Sequence, residues 1–183
     1  MHNSVIKRKK RLGSALVEFT LVSIMVIFVW ISIEEMARGM WIYHTLQYAV
    51  KMTAAYASMH GATCSITPNS CSVNVSTVVG VFKATAIGVP MNQVTLTLTT
   101  ASGAATTCNP VSTCSSNAAW STMWPPSSNG DNAVGKDIYI RADYVFHTAL
   151  AMFVPGKGRV AFGSNQGAGT FDFPGYSHQS ILF

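Results

Sequence analysis

The chain has 183 residues, of which 49% are apolar or aromatic and 10% charged, and it carries a formal net charge of +5. Five cations (Lys7, Arg8, Lys9, Lys10 and Arg11) crowd the first thirteen residues, where there is no acid; from Ser14 onward seven basic residues face seven acids. This composition excludes a disordered chain, and the neutral body excludes a nucleic-acid-binding face despite the basic isoelectric point.

After the basic cluster, Ser14 to Ile33 holds one ionisable residue, Glu18, among twenty. As a helix this stretch rises about 30 Å, the thickness of a bilayer core. Cations precede it and Glu34 and Glu35 follow it. The positive-inside rule therefore places the N-terminus in the cytoplasm and the chain beyond about residue 34 outside, with membrane lipid as a partner. A cleaved secretory signal fits less well. Its apolar region is about 7–15 residues long and ends at a small-x-small site, which Met36-Ala37-Arg38 does not provide.

The helical pattern continues past the span. Gly39, Ile42, Tyr43, Leu46, Ala49, Val50, Thr53, Ala54 and Ala57 form one stripe, and Arg38, Thr45, Gln47, Lys51 and Ser58 fall largely on the other side. No proline interrupts Ser14 to His60, and Gly61 is a C-terminal stop. The expectation is one helix of roughly 45 residues, apolar in its first half and amphipathic in its second. Tyr43, Tyr48 and Tyr56 read as packing residues within it.

Four cysteines (Cys64, Cys71, Cys108 and Cys114) lie on the expected outer side. Their even number and an oxidising compartment favour disulfides over free thiols. Of the three pairings, the short spacings favour two local loops, Cys64 with Cys71 and Cys108 with Cys114. Zinc is the rival, but neither spacing is that of a C-x2–4-C knuckle.

Ser72 to Ile87 has apolar residues near helical spacing, with Ser72 as cap, although its valines leave a strand open. Gln93 to Thr100 alternates Val94, Leu96 and Leu98 against Thr95, Thr97 and Thr99. Lys136 to His147 alternates Ile138, Ile140, Ala142, Tyr144 and Phe146 against Tyr139, Arg141, Asp143 and Val145. Both read as half-buried strands. Gly156-Lys157-Gly158 reads as a turn before a third strand, Arg159 to Ser164. Ala101 to Gly130 reads as a long Ser/Thr-rich loop, and residues 165–183 carry no clear pattern. The fold class is α+β: a long helix whose outer half is covered by a small antiparallel sheet.

No constellation points to catalysis, a metal or a cofactor. The glycines around Gly156 and Gly158 lack the strand, helix and Gly-Lys-Ser/Thr ending of a phosphate loop. Asn129-Gly130-Asp131-Asn132 is short of carboxylates for calcium and reads as a turn. Glu18 stands apart, because an ionisable residue inside an apolar span marks a functional site.

Lys10-Arg11-Leu12-Gly13-Ser14-Ala15-Leu16-Val17-Glu18-Phe19 resembles a type IV prepilin signal, in which a prepilin peptidase cuts after the glycine and leaves glutamate at mature position five. The same run, with Ile33-Glu34, Arg38, Thr45-Leu46-Gln47-Tyr48-Ala49-Val50-Lys51 and Ala54 to Gly61, resembles the TadE-like proteins of the tight-adherence (Tad, Flp) pilus system. The match covers residues 10–61. The strand Asp137–Phe146 with Pro155 and Gly156 is similar to that family's C-terminal part, while Ser23 stands where many relatives have proline.

The resemblance implies a basic prepilin-type leader at 1–13, cleaved between Gly13 and Ser14, and a type IV pilin-like fold. The membrane-spanning half of the helix is then 14–33, its amphipathic extension 34–61, and an extracytoplasmic α+β domain 62–183 with its Ser/Thr-rich loop at 101–130. It implies a minor pilin or pseudopilin that acts in pilus assembly and surface adhesion, not an enzyme. Its partners are a prepilin peptidase, other pilins and Tad assembly proteins, met through the N-terminal helix, with Glu18 as the assembly residue. The alternative is a membrane-anchored adhesin or secretion-system pseudopilin that never polymerises.

Overall fold

The computed structural model describes residues 9–63, 73–115, 120–148 and 170–183. Helix α1 spans Lys9–Ser58 and helix α2 Val75–Thr85. The strands are β1 (Val94–Thr99), β2 (Ala105–Cys108), β3 (Asp137–His147) and β4 (Thr170–Ser180), with a short 3-10 turn at Val111–Ser115. The strands form one antiparallel sheet in the order β2-β1-β3-β4. The architecture is α+β, a long N-terminal apolar helix and a small four-stranded antiparallel sheet.

Helix α1 already includes Lys9, within the basic cluster, and ends two residues before His60. Its termination is built by the C-terminus of the chain. Leu182 N–H donates to the Ser58 carbonyl (2.9 Å), and Ala62 N–H donates to the Asn132 carbonyl (2.8 Å). Gly61 sits beneath this junction, where a Cβ would overlap the Phe183 carbonyl and the Ile181 side chain. Gly61 is thus required by close approach of another segment.

The outer half of α1 lies on the sheet through most of the stripe that its periodicity defines, except that Tyr43 and Tyr48, expected to pack, are exposed and Ser58, expected on the other side, is buried. Ile42, Leu46, Ala49, Val50, Thr53, Ala54 and Ala57 are buried, while Tyr48 and Lys51 are exposed. Against them pack Phe82 and Val79 of α2 and the inward residues Leu96, Leu98, Ile138 and Ile140 of the sheet. Each large side chain buried here contributes about 1.5–3 kcal/mol. Helix α2 starts at Val75 with Asn74, not the expected Ser72, in the N-cap position, and the Asn74 carbonyl accepts from Thr77 and Val78 N–H; Ser72 itself lies outside the described residues.

Two stretches differ from the sequence-based expectation. The Ser/Thr-rich region 101–130 contains β2 and the 3-10 turn, joined by the Cys108–Cys114 disulfide with Cα atoms 5.7 Å apart. Strand β2 escapes a periodicity argument because its first three residues, Ala105-Thr106-Thr107, have no apolar alternation. A loop this small contributes about 2–3 kcal/mol through restriction of the unfolded chain.

The second is β4, which runs through Pro174-Gly175. Proline has no N–H to give to a ladder, and β4 is an edge strand, where that loss is tolerated. Gly175 lies under α1, where a Cβ would stand 3.0 Å from Val50 Cγ2 and 3.2 Å from Leu46 Cγ. The Cys64–Cys71 pair, the turn at 156–158 and the strand expected at 159–164 lie outside the described residues.

Candidate functional site

The residues singled out by sequence do not converge on a cleft. Gly13, Ser14 and Glu18 all belong to α1, ahead of the folded domain. Nothing stands within 4 Å of a Cβ placed on Gly13. Around Glu18 the helix exposes Leu16 (67%), Val17 (60%), Phe19 (73%) and Leu21 (58%), and the most apolar 18-residue window of α1 is 0% buried. This is the one described helix long and apolar enough to cross a membrane.

The neutral polar side chains of this stretch satisfy themselves. Thr20 Oγ1 donates to the Val17 carbonyl (2.8 Å), Ser23 Oγ to Phe19 (2.7 Å) and Ser32 Oγ to Phe28 (2.8 Å). Such back-bonding is how a helix hides hydroxyls in apolar surroundings. A charged carboxylate only accepts hydrogen bonds, so back-bonding to a carbonyl offers nothing to the ionised form of Glu18.

At the foot of the domain, Arg38 joins the helix to the sheet. Its Nη2 donates to the His147 carbonyl (2.9 Å) and to Glu35 Oε2 (3.4 Å), and its guanidinium lies over the Phe146 ring, 4.9 Å from the centroid. Gly39 faces the Phe173 and Phe146 rings, and a Cβ there would make only ordinary contacts of 3.5 and 3.8 Å with them, so the space does not demand glycine. About two turns further, Gln47 grips the edge of β4. Its Nε2 donates to the Pro174 carbonyl (2.9 Å) and its Oε1 accepts from Tyr176 N–H (3.4 Å). The amide side chain bonds the outer edge of β4 beside Pro174, where a fifth strand would otherwise lie, while the β3–β4 register runs unbroken through the proline.

The sheet face turned away from the helices carries polar and aromatic residues of β3 and β4. Asp137 accepts from Ser180 Oγ (2.7 Å) and pairs with His178 Nε2 (3.3 Å), and His178 stacks on Tyr139 with ring centroids 4.7 Å apart. Tyr176 lies 6.3 Å from the same Tyr139 ring, and Arg141 makes a bidentate pair with Asp143. The Ser180 bond, then that from His178, holds the Asp137 carboxyl below its ordinary range. Serine, histidine and aspartate meet here in an order unlike that of a hydrolase triad. The carboxylate is the shared acceptor, so the imidazole is not placed between the other two.

Asp131, in the turn considered for calcium, is buried and already ligated by protein donors. It accepts from Thr100 Oγ1 (2.8 Å), Ser102 N–H (3.1 Å) and the Ser102 hydroxyl. The Ser102 hydroxyl is the main reason its carboxyl titrates below the ordinary range, with Thr100 adding to the effect. No cluster of three or more His, Cys, Asp or Glu able to hold a metal occurs among the described residues.

Sequence reasoning passed over Arg38, Gln47, Tyr176 and His178 as site residues. Each works with residues more than 30 positions away, and no local spacing signals that. Comparison with protein-family models, with curated proteins and with solved structures finds no match.

Proposed function

We propose that this protein is a membrane-anchored subunit of the prepilin class, made as a precursor with a short basic leader and released for assembly by cleavage. Within that class, we assign it to the TadE-like minor pilins or pseudopilins of a bacterial tight-adherence pilus. The observation that carries the reading is Gly13 and Glu18, five residues apart, on a helix whose first half is bare and whose second half is built into the domain.

The precursor sits in the inner membrane with its N-terminus in the cytoplasm and its α+β domain in the periplasm. The peptidase cuts between Gly13 and Ser14. Glycine suits this place because it is a poor helix former, so the scissile bond is reached by local unwinding of α1. Cleavage removes five cations and creates an ammonium at Ser14. In the assembly, Glu18 pairs with the Ser14 ammonium of a neighbouring subunit among apolar side chains, offsetting the burial of both charges and setting the register.

The test is the mass of the protein isolated from its host. Removing 13 of 183 residues leaves a chain of 170 that begins at Ser14. Gly13→Leu is expected to accumulate only the precursor. Full-length protein that retains Met1 in the presence of the peptidase overturns the reading, and recovery in sheared pilus fractions separates a filament subunit from a non-polymerising adhesin or assembly factor.

A further inference from the structure

The two sides of the folded domain differ in charge. Between Arg38 and Gly130 the chain contains no Asp or Glu, so the helix layer carries only Arg38, Lys51 and Lys83, and Lys51 and Lys83 are exposed. The open face of the sheet carries Asp137, Asp143 and Asp172, with Arg141 as its only described cation. Arg141 is held by Asp143 and also attracted by Asp172, and His178 leans on Asp137, yet three carboxylates outnumber the one permanent cation and leave that face acidic.

The two sides also match in their apolar centres. On the outside of α1, Trp41, Tyr48, Met52 and Met59 are 63%, 55%, 40% and 44% exposed and follow one another at steps of seven, four and seven residues. Such steps put them on a single stripe, away from the stripe that covers the sheet. On the sheet, Tyr139 and Tyr176 lie side by side, with His178 stacked on Tyr139. Aromatic and Met centres rimmed by charge are the anatomy of a protein interface.

We propose that the open face of the sheet docks against the outer face of the helix layer of a second copy of this chain. Tyr139 and Tyr176 of one copy meet Tyr48 and Met52 of the next, and Asp137 and Asp172 meet Lys51 and Lys83. Strand β3 has 11 residues. A face about 36 Å long and 15–20 Å wide offers roughly 600 Å² before side-chain relief, close to the ~800 Å² per partner of a standard interface. Because the two faces are different and lie on opposite sides of the domain, the contact is head-to-tail. Each copy keeps one face of each kind open to a further copy, as in a growing row. The contact needs no cleavage at Gly13, so it stands or falls separately from the leader.

The experiment uses two differently tagged full-length chains made together in their host, one with Met52→Cys and the other with Tyr176→Cys, treated with a short bismaleimide. The mixed population is expected to give a cross-linked heterodimer, and neither population alone is expected to do so. Lys51→Glu with Lys83→Glu in the first chain lowers the yield about five- to tenfold, and Asp137→Lys with Asp172→Lys in the second restores it. Raising salt from about 0.05 to 0.5 M weakens the same cross-link without any change of side chain. Tyr48→Cys with Thr97→Cys reads the same contact should either first variant fold poorly. Equal cross-linking within a single population, a yield indifferent to charge reversal and salt, or no product from folded protein overturns the proposal. The mass of the same chains reports leader cleavage independently.

Discussion

Arg38 and His147 are 109 positions apart in sequence and 2.9 Å apart in space, the guanidinium of α1 donating to the last carbonyl of β3. Through this bond, and through the Phe146 ring beneath it, the orientation of the domain is tied to the helix that carries it. The bond lies only five residues beyond Ile33, the end of the apolar stretch. A long helix of this kind transmits position only if the domain cannot swivel on it. Arg38, Gln47 and the buried stripe from Ile42 to Ala57 together provide that stiffness.

Arg38→Met keeps much of the packing over Phe146 and removes the charge and the donor. Because Arg38 is half exposed, the expected loss is modest, about 1 kcal/mol. The distinguishing effect is local: amide exchange at the C-terminal end of β3 speeds up while that of β1 is unchanged. Uniform acceleration across the sheet contradicts a local anchoring role for this contact.

Gly175 marks the closest approach of β4 to α1. Gly175→Val places methyl groups where Val50 and Leu46 already stand, at an expected cost of about 1–3 kcal/mol from overpacking. Val50→Ala in the same chain returns part of that loss by vacating the space. Denaturant midpoints of the two single variants and the double variant measure the coupling. Simple additivity shows that the glycine does not report this contact.

Asp131 makes stability depend on pH in a defined direction. Its carboxyl is depressed in the folded chain, chiefly by the Ser102 hydroxyl, so the unfolded state binds the proton first. The stabilisation is therefore present above the unfolded value near 4 and is lost as pH falls through the lower folded value. Asp131→Asn removes this dependence and lowers stability at neutral pH, because the amide is a weaker acceptor. Thermal melts of both proteins from pH 6 down to pH 3 are expected to converge toward the acid end. Parallel curves contradict the assignment.

Glu18→Gln tests the charge pairing that we propose for assembly. The amide keeps size and most hydrogen bonding but leaves a neighbour's Ser14 ammonium unpaired among apolar side chains. Breaking a buried pair in this way costs about 3–5 kcal/mol, enough to weaken association by a factor of roughly 150 to 5000. The expected phenotype is a chain that is cleaved, membrane-inserted and unable to support piliation. Normal piliation by Glu18→Gln at native expression removes the pairing mechanism.

Local pattern was enough to read the long helix and the two inner strands. The apolar stretch after the basic cluster, the stripe from Gly39 to Ala57, and the alternations at 94–99 and 137–147 are period arguments. Period is a property of neighbours in sequence, so α1, β1 and β3 were legible before any contact was known, whereas the valines of α2 left helix and strand both open until the fold was seen. So was the Cys108–Cys114 disulfide, since only five residues separate the two thiols. Strand β4 was not legible, because Pro174 and Gly175 contradict strand propensity and are accepted only where an edge position removes the need for an N–H and a crossing helix demands a missing Cβ. Nor was β2, which has no apolar face to betray it. The union of Arg38 with His147, of Gln47 with Pro174 and of Asp137 with Ser180 and His178 belongs to tertiary structure alone. Hydrogen bonds and ion pairs act over a few ångströms, and only the folded chain decides which distant residues come within that reach.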